Sequence, residues 1–317
     1  MIDLNDIKLL ATHAGCPDGV ASAILVKDAL GIPVKFFTHN SKELAAFKPE
    51  PGILFCDFSP PAERAQEFVD AGAYVLDHHR TAKPVVELFG DRGVFADEQA
   101  EPGVCGAVLA YRHVWLPLMD KKPATCSASS VRFAENFARL AGIRDTYQRH
   151  SPDWDEACAQ AEVLRFFPFS HWEKLIDGGG RADDSVFSNT AAWGLNLSLG
   201  PVLIQRHKNA VQRALEGAER ITQGSHKFCV FQGGGLTTDA MEAVPEDVEA
   251  VIGFDYDSEK LRLSMRSRTN SSFDCAALAK QNNGGGHTHA AGCHVPIPST
   301  SPFRFISDFI AKYVDSH

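Results

Sequence analysis

The chain has 317 residues, a formal net charge of −9 and 44% hydrophobic residues. Its length exceeds that of a usual single core and predicts two domains. The acidic balance argues against a protein that coats long duplex nucleic acid, because such a protein needs a broad basic surface. We expect no signal peptide and no membrane span, and eight scattered cysteines without a C-x-x-C pair favour a reduced, cytoplasmic setting.

Strand-like apolar runs alternate with helix-like stretches over the first 120 or so residues. Helix-like stretches cover 18–30 and 60–71, and another strand is predicted at 34–38. This alternation predicts an α/β fold with a doubly wound, mainly parallel sheet. Three apolar runs end at polar side chains, namely 7–12 at His13, 52–56 at Asp57 and 73–76 at Asp77.

The triplet Asp77-His78-His79 places a carboxylate and two imidazoles at the end of a predicted strand. In open α/β sheets the carboxyl ends of parallel strands open onto one crevice, and these residue types are metal ligands. We therefore expect four side chains to share a crevice although they are distant in sequence. They are His13, Asp18, Asp57 and His78.

The pattern changes beyond the first sheet. Residues 127–167 are predicted to be helical, and a long helix beginning at Pro201 and stopped by Gly224 is predicted to bridge two domains. The segment beyond it predicts strands at 226–232, 248–256, 261–265 and 293–296, a hairpin turn at 257–260, and helices at 273–280 and 303–313. The expected domains are 1–195, a linker helix at 196–224, and a smaller α+β domain at 225–317.

The glycine run Gly284-Gly285-Gly286, followed by His287, offers consecutive backbone N–H donors of the kind that form a phosphate-binding nest. A tight turn explains the run equally well when it is taken alone. Arg266 and Arg268 lie shortly upstream and could add charge-assisted hydrogen bonds, which favours substrate binding. A zinc site built from the nearby histidines is disfavoured, because structural zinc sites prefer several thiolates at set spacing.

These motifs together resemble the DHH/DHHA1 phosphoesterase superfamily. The resemblance rests on the triplet at 77–79, the segment His13-Ala14-Gly15-Cys16-Pro17-Asp18-Gly19, the isolated Asp57, and the C-terminal Gly-Gly-Gly-His-x-x-Ala-Ala-Gly run beginning at Gly284. It spans nearly the full chain. It implies an N-terminal catalytic domain and a C-terminal substrate domain with the active site in the cleft between them, and metal-dependent hydrolysis, usually with manganese.

The resemblance also implies roles for individual residues. Asp57 resembles a carboxylate that bridges two metals, His78 a metal ligand, and Asp18 a further ligand, while Asp145 best fits the family's later aspartate. Such an oxygen-rich set with one imidazole suits Mn²⁺. Asp77 then orients His78 or supports the strand end, and His79 meets the substrate phosphate or the leaving group. Arg80 could act in the same way, although an arginine after a strand is often only a solvated charge.

The first motif departs from the family pattern at Cys16, where relatives usually carry an aspartate. The second metal site would then consist of His13, Cys16 and the bridging Asp57. A thiolate is a soft ligand that favours zinc or iron over manganese, so we expect an altered second site. The alternative is that Cys16 is only a small residue in a tight turn.

The predicted function is hydrolysis of phosphodiester bonds in short nucleotide substrates, either oligoribonucleotides or cyclic and linear dinucleotides. His79, Asp57 and Asp77 are the predicted catalytic residues. Two alternatives remain open: an exopolyphosphatase or other phosphoanhydride hydrolase, and a catalytically weakened nucleotide-binding protein. The partner is in each case a small phosphorylated substrate, and the sequence leaves the oligomeric state open.

Overall fold

The computed structural model describes residues 2–38, 41–119, 127–178, 185–188, 190–257, 260–282 and 284–314. The chain divides into two compact units, Met1–Ile204 and Gln205–His317. No helix in these ranges combines the length and apolarity needed to cross a bilayer.

The first unit is built on a five-stranded sheet in which all neighbouring strands are parallel, in the order β2-β1-β3-β4-β5. Its strands are β1 Leu9–His13, β2 Val34–Phe37, β3 Ile53–Cys56, β4 Tyr74–Asp77 and β5 Gly93–Phe95. Its helices are α1 Pro17–Leu30, α2 Lys42–Ala45, α3 Ala65–Asp70, α4 Lys83–Leu88, α5 Gly106–Ala110, α6 Leu116–Met119, α7 Ala128–Asp145, α8 Trp154–Phe166, α9 Phe169–Asp177, α10 Thr190–Leu197 and α11 Gly200–Glu216, which runs across the unit boundary.

Both faces of this sheet are covered. Along β3, Leu54 and Cys56 belong to the core that includes the buried side of α1, whereas Ile53 and Phe55 belong to a separate core that contains Phe68 of α3. Successive strand residues point to opposite faces, so a strand buried on both sides is apolar throughout. The predicted doubly wound parallel sheet is confirmed.

The second unit contains a six-stranded sheet in the order β10-β11-β9-β8-β7-β6. Neighbours are antiparallel except β7 and β8, which are parallel. Its strands are β6 Glu219–Gln223, β7 His226–Gln232, β8 Ala250–Asp257, β9 Lys260–Ser267, β10 Gly285–His287 and β11 Ala290–Pro296, and its helices are α12 Thr237–Ala243, α13 Cys275–Lys280 and α14 Pro302–Val314. This is the predicted smaller α+β domain. Asp257 pairs with Lys260 as expected for the predicted hairpin, whose tip, 258–259, lies outside the described residues.

The predicted helix reaching Gly224 is shorter in the structure. Helix α11 ends at Glu216, and 219–223 form the edge strand β6, which pairs with β7. Gly217 follows the last helical residue, and only Ile221 of β6 is buried. A single apolar residue is compatible with both helical and strand periodicity. Ile221 therefore continues the helical pattern in the sequence although it belongs to a strand.

Candidate metal centre

The polar strand ends lie side by side in the first sheet. His13 ends β1, Asp57 follows β3 directly, and Asp77 ends β4. Strands β1, β3 and β4 are consecutive in the sheet and parallel. Their carboxyl ends therefore lie along one edge, as the sequence predicted.

Asp57 is almost fully buried and has a left-handed backbone conformation, with φ of 57°. Aspartate tolerates this region better than most residues, but it is uncommon and is typical of positions held by their surroundings. The Oδ1 atom of Asp57 lies 3.2 Å from Nε2 of His78. Its Oδ2 atom is buried without a hydrogen-bond partner among the described residues.

Asp18, His78 and Asp145 form a group whose ligand atoms lie within 4.8 Å of one another. Nε2 of His78 lies 3.8 Å from Asp18 Oδ2 and 3.5 Å from Asp145 Oδ2. The side chains of Asp18 and His78 are buried, whereas that of Asp145 is 24% exposed. Carboxylate oxygens of three predicted ligands, Asp18, Asp57 and Asp145, thus surround the Nε2 atom of the fourth, His78.

Asp18 is held by the first turn of α5. The main-chain N–H groups of Gly106 and Ala107 donate to its two carboxylate oxygens over 2.7 and 2.9 Å, and the Cys105 thiol also donates to it. Donors at a helix N-terminus stabilise a carboxylate. A side chain at Gly106 would lie 2.3 Å from Cβ of Asp57, so only glycine allows this approach.

The carboxylates repel one another in the absence of a cation. Burial, followed by the charge of Asp18, raises the pKa of Asp57 well above its usual range. Burial and Asp18 also raise the pKa of Asp145 to about 7. For His78, burial lowers the pKa and outweighs the nearby carboxylates. A divalent cation would offset the charge of these acids.

A divalent metal fits this arrangement. The donor set contains three carboxylates and one imidazole, a set that suits Mn²⁺. Two buried polar atoms, Asp57 Oδ2 and His78 Nδ1, lack a hydrogen-bond partner among the described residues. Buried polar atoms are rarely left unmatched, so Asp57 Oδ2 points to an additional bound group such as a metal ion or water.

The structure also brings together the three residues of the predicted altered site. His13, Cys16 and Asp57 offer one ligand atom each, all within 4.8 Å of one another. Cys16 lies at the start of α1 and is half-buried. Burial and the charge of Asp18 raise the pKa of its thiol to about 12, which keeps it protonated in the metal-free protein.

The other members of the triplet form a hydrogen-bonded chain. Asp77 Oδ1 accepts from the main-chain N–H of His79 and lies 2.7 Å from Nδ1 of that residue, while Asp77 Oδ2 accepts from the Ser59 hydroxyl. Burial would raise the pKa of Asp77, but the bonds from His79 and Ser59 outweigh burial and lower it. Burial would lower the pKa of His79, but Asp77 outweighs burial and raises it.

A pocket of about 260 Å³ lies beside this centre within the first unit. Its lining includes Asp18, Asp145, Cys16 and two arginines, Arg144 and Arg165. The pocket gives a small ligand room next to the proposed metal ligands. Arg80, by contrast, is more than half exposed, and its Nε lies 3.9 Å from an Asp97 oxygen, as expected for a solvated charge.

The predicted phosphate-binding residues of the second unit separate into two sets. Arg266, Gly285 and Gly286 line a pocket of about 460 Å³, and Arg266 Nε donates to the Thr238 hydroxyl. Arg268, Gly284 and His287 are not among the lining residues.

Arg268 and Gly284 have local structural roles. The Arg268 guanidinium donates to the carbonyls of Val244, Pro245 and Val248. A side chain at Gly284 would lie 2.3 Å from the carbonyl oxygen of Gly292. Residues Gly285, Gly286 and His287 form edge strand β10 rather than the predicted nest-like loop. The absence of Cβ atoms lets this strand approach β11 closely.

Sequence reasoning assigned no role to the residues that hold the carboxylates of Asp18 and Asp77. Gly106 and Ala107 orient Asp18 from 88 and 89 residues away, and Ser59 holds Asp77. The signal for the first pair is the small-residue run Cys105-Gly106-Ala107, which by itself indicates only the start of an apolar helix. The Ser59 hydroxyl has no sequence signal beyond lying two residues after Asp57.

The fold of the chain is similar to that of solved structures. A parallel five-stranded α/β unit followed in sequence by a smaller mixed sheet is a fold that the chain shares with two solved structures, one of them a DHH domain. The chain is similar to a pGpG-specific phosphodiesterase from Vibrio cholerae, at 13% identity, covering 98% of this chain and 99% of that one with a TM-score of 0.55.

A second similar structure is the DHH domain of a protein described as a member of a family of ribosomal proteins. The two chains are 11% identical, and the match covers 98% of this chain and 86% of the other with a TM-score of 0.52. No protein-family model matches the chain, and no curated protein matches it in sequence.

Proposed function

We propose that the protein is a metal-dependent phosphoesterase that hydrolyses phosphodiester bonds in short nucleotide substrates. The observation that supports this most directly is the convergence of Asp18, Asp57 and Asp145 on Nε2 of His78. Three carboxylates in one crevice cost free energy unless a cation offsets their charge. A protein that binds its ligand without a metal would gain nothing from placing these three carboxylates together.

Asp18, Asp57, His78 and Asp145 would hold the principal metal, and Mn²⁺ suits this oxygen-rich set best. When bound, such a metal lowers the pKa of a coordinated water and offsets charge that develops on a phosphoryl group. Gly106 and Ala107 fix the Asp18 carboxylate by two N–H donors, which keeps one ligand oriented before a metal arrives.

His79 is the proposed group that protonates the leaving oxygen. The short contact from its Nδ1 to Asp77 holds a proton on Nδ1, and Asp77 raises the pKa of His79, which favours the imidazolium form. The proton on Nε2 of that form would pass to the leaving oxygen. Ser59 donates to the other oxygen of Asp77 and thereby fixes the carboxylate that orients the ring. The side chain of His79 is 42% exposed, which leaves it accessible to a ligand.

The proposed substrate class rests on charge and on the second unit. A chain with a net charge of −9 is poorly suited to long nucleic acid, whereas one or two local arginines suffice for a small anion. Arg266, beside Gly285 and Gly286, is the proposed phosphate contact. The likeness to a pGpG-specific phosphodiesterase is consistent with a dinucleotide.

The alternatives make different demands on the protein. An exopolyphosphatase or other phosphoanhydride hydrolase needs cations that follow a chain of phosphates, whereas the pocket beside the metal ligands has both arginines and apolar side chains. A catalytically weakened nucleotide-binding protein has no need of the full ligand set.

A matrix of metals and substrates tests the proposal. The protein is stripped with a chelator, and Mn²⁺, Fe²⁺ and Zn²⁺ are each assayed against a linear dinucleotide, a cyclic dinucleotide and polyphosphate. We expect Mn²⁺-dependent release of mononucleotide and no release with His78→Gln. Phosphate release from polyphosphate alone would favour the anhydride hydrolase, and binding without turnover in saturating Mn²⁺ would favour the binding protein.

A further inference from the structure

We infer that His13, Cys16 and Asp57 form a second cation site that selects a thiophilic divalent ion, zinc or ferrous iron, over manganese. The inference rests on the proposed metal-dependent function and adds to it a difference between the two sites. The first site would be oxygen-rich, and the second would be defined by one sulfur.

The geometry of the three side chains supports a site. They come from the end of β1, from the residue before α1 and from the residue after β3, yet their ligand atoms all lie within 4.8 Å of one another. Nitrogen, sulfur and oxygen ligands bind zinc at about 2.0–2.3 Å, so small movements would place all three around one ion. Water or substrate would complete the coordination.

The two oxygens of Asp57 face different groups. Oδ1 lies 3.2 Å from Nε2 of His78, in the first site. Oδ2 lies 3.3 Å from the position that a Gly19 side chain would occupy, and that position is 2.3 Å from the His13 carbonyl oxygen. The buried, unmatched Oδ2 atom therefore lies near the main chain of His13. This arrangement suits a carboxylate that bridges two cations.

Cys16 decides which ion the second site takes. Thiolate and imidazole ligands favour zinc and iron, while manganese prefers carboxylate and carbonyl oxygens. A small structural cysteine would account for the volume at this turn. It would not account for an imidazole nitrogen and a carboxylate oxygen within 4.8 Å of the sulfur, on an aspartate whose buried Oδ2 atom is unmatched.

Cobalt(II) is the probe for this site, because a cobalt–thiolate bond gives an intense near-ultraviolet charge-transfer band. We expect this band on titration of the metal-free full-length protein, and its loss in Cys16→Ser. The matched control is Cys158→Ser, which removes the other half-buried thiol among the described cysteines and should keep the band. Zinc affinity should fall at least about tenfold in Cys16→Ser alone.

Cys16→Asp extends the test to selectivity. Replacement of sulfur by oxygen should remove the band and shift metal content, measured after dialysis against equal zinc and manganese, towards manganese. A wild-type protein without the band, a band that survives in Cys16→Ser, or unchanged metal content in Cys16→Asp would overturn the inference. A band without hydrolysis of any phosphoester would overturn the proposed function and leave the thiophilic site standing.

Discussion

The main-chain N–H of Gly106 donates to Oδ2 of Asp18 over 2.7 Å, which ties the start of α5 to the start of α1. The same glycine has no room for a side chain, because a Cβ would lie 2.3 Å from Cβ of Asp57. One small residue thus orients one proposed ligand and allows another to approach.

Gly106→Ala should therefore disrupt the centre. The added methyl group would push the start of α5 away from Asp57, at a cost of roughly 1–3 kcal/mol in the free energy of unfolding. Thermal unfolding and Mn²⁺ titration measure both effects. Gly194→Ala is the control, since a methyl group there meets no heavy atom within 4 Å and should raise helix stability slightly. Normal metal binding in Gly106→Ala would contradict this prediction.

Asp57→Asn should separate activity from stability. The rate of hydrolysis should fall at least about a hundredfold. Loss of a group that only supports a metal ligand costs up to about a hundredfold, and Asp57 is itself a proposed ligand. Metal-free Asp57→Asn should nevertheless have a free energy of unfolding about 1 kcal/mol higher than that of the metal-free wild type. Burial and Asp18 raise the pKa of Asp57, so folding of the metal-free wild type carries a cost that the neutral amide avoids. Calorimetry with and without chelator measures the difference. Equal loss of stability and activity would indicate a purely structural carboxylate.

Ser59→Ala should affect only reactions that need a protonated leaving group. Loss of the hydroxyl that donates to Asp77 should lower kcat on a dinucleotide by about tenfold, the value of one hydrogen bond to a charged group. A p-nitrophenyl phosphodiester, whose leaving group needs no proton, should be hydrolysed at the wild-type rate. Ser198→Ala, at an exposed serine, is the control. Equal effects on both substrates would rule out this role.

Arg266 lies in β9 and Arg268 directly follows the end of that strand, so the two arginines form a matched pair, both half-buried and separated by one residue. Arg266→Ala should raise KM by roughly tenfold through loss of a charge-assisted bond to phosphate, with little change in unfolding. Arg268→Ala should lower the free energy of unfolding by roughly 1–3 kcal/mol, since its three carbonyl acceptors lose their donors. Enzyme kinetics and chemical denaturation distinguish the pair. The reverse pattern would exchange the two roles.

Much of the first unit was predictable because its signals are local. Apolar runs that end at His13, Asp57 and Asp77 follow from the two-sided burial of parallel strands, and this pattern predicted which side chains would converge. The second unit was harder to predict. Its glycine run was expected to form a nest, but it forms edge strand β10, because pairing with β11 is a long-range interaction that a run of glycines does not reveal.

The sequence by itself determined the alternating α/β pattern and the order of the polar strand ends, since both depend on the period and termination of single elements. Only the tertiary structure decided that the main-chain groups of Gly106 and Ala107 hold Asp18, and that Ser59 supports Asp77. The tertiary structure also decided that the Arg268 guanidinium donates hydrogen bonds to main-chain carbonyls, whereas Arg266 lines a pocket. Backbone donors and the partners of an arginine carry no residue-type signature, so these contacts exist only once distant segments have packed.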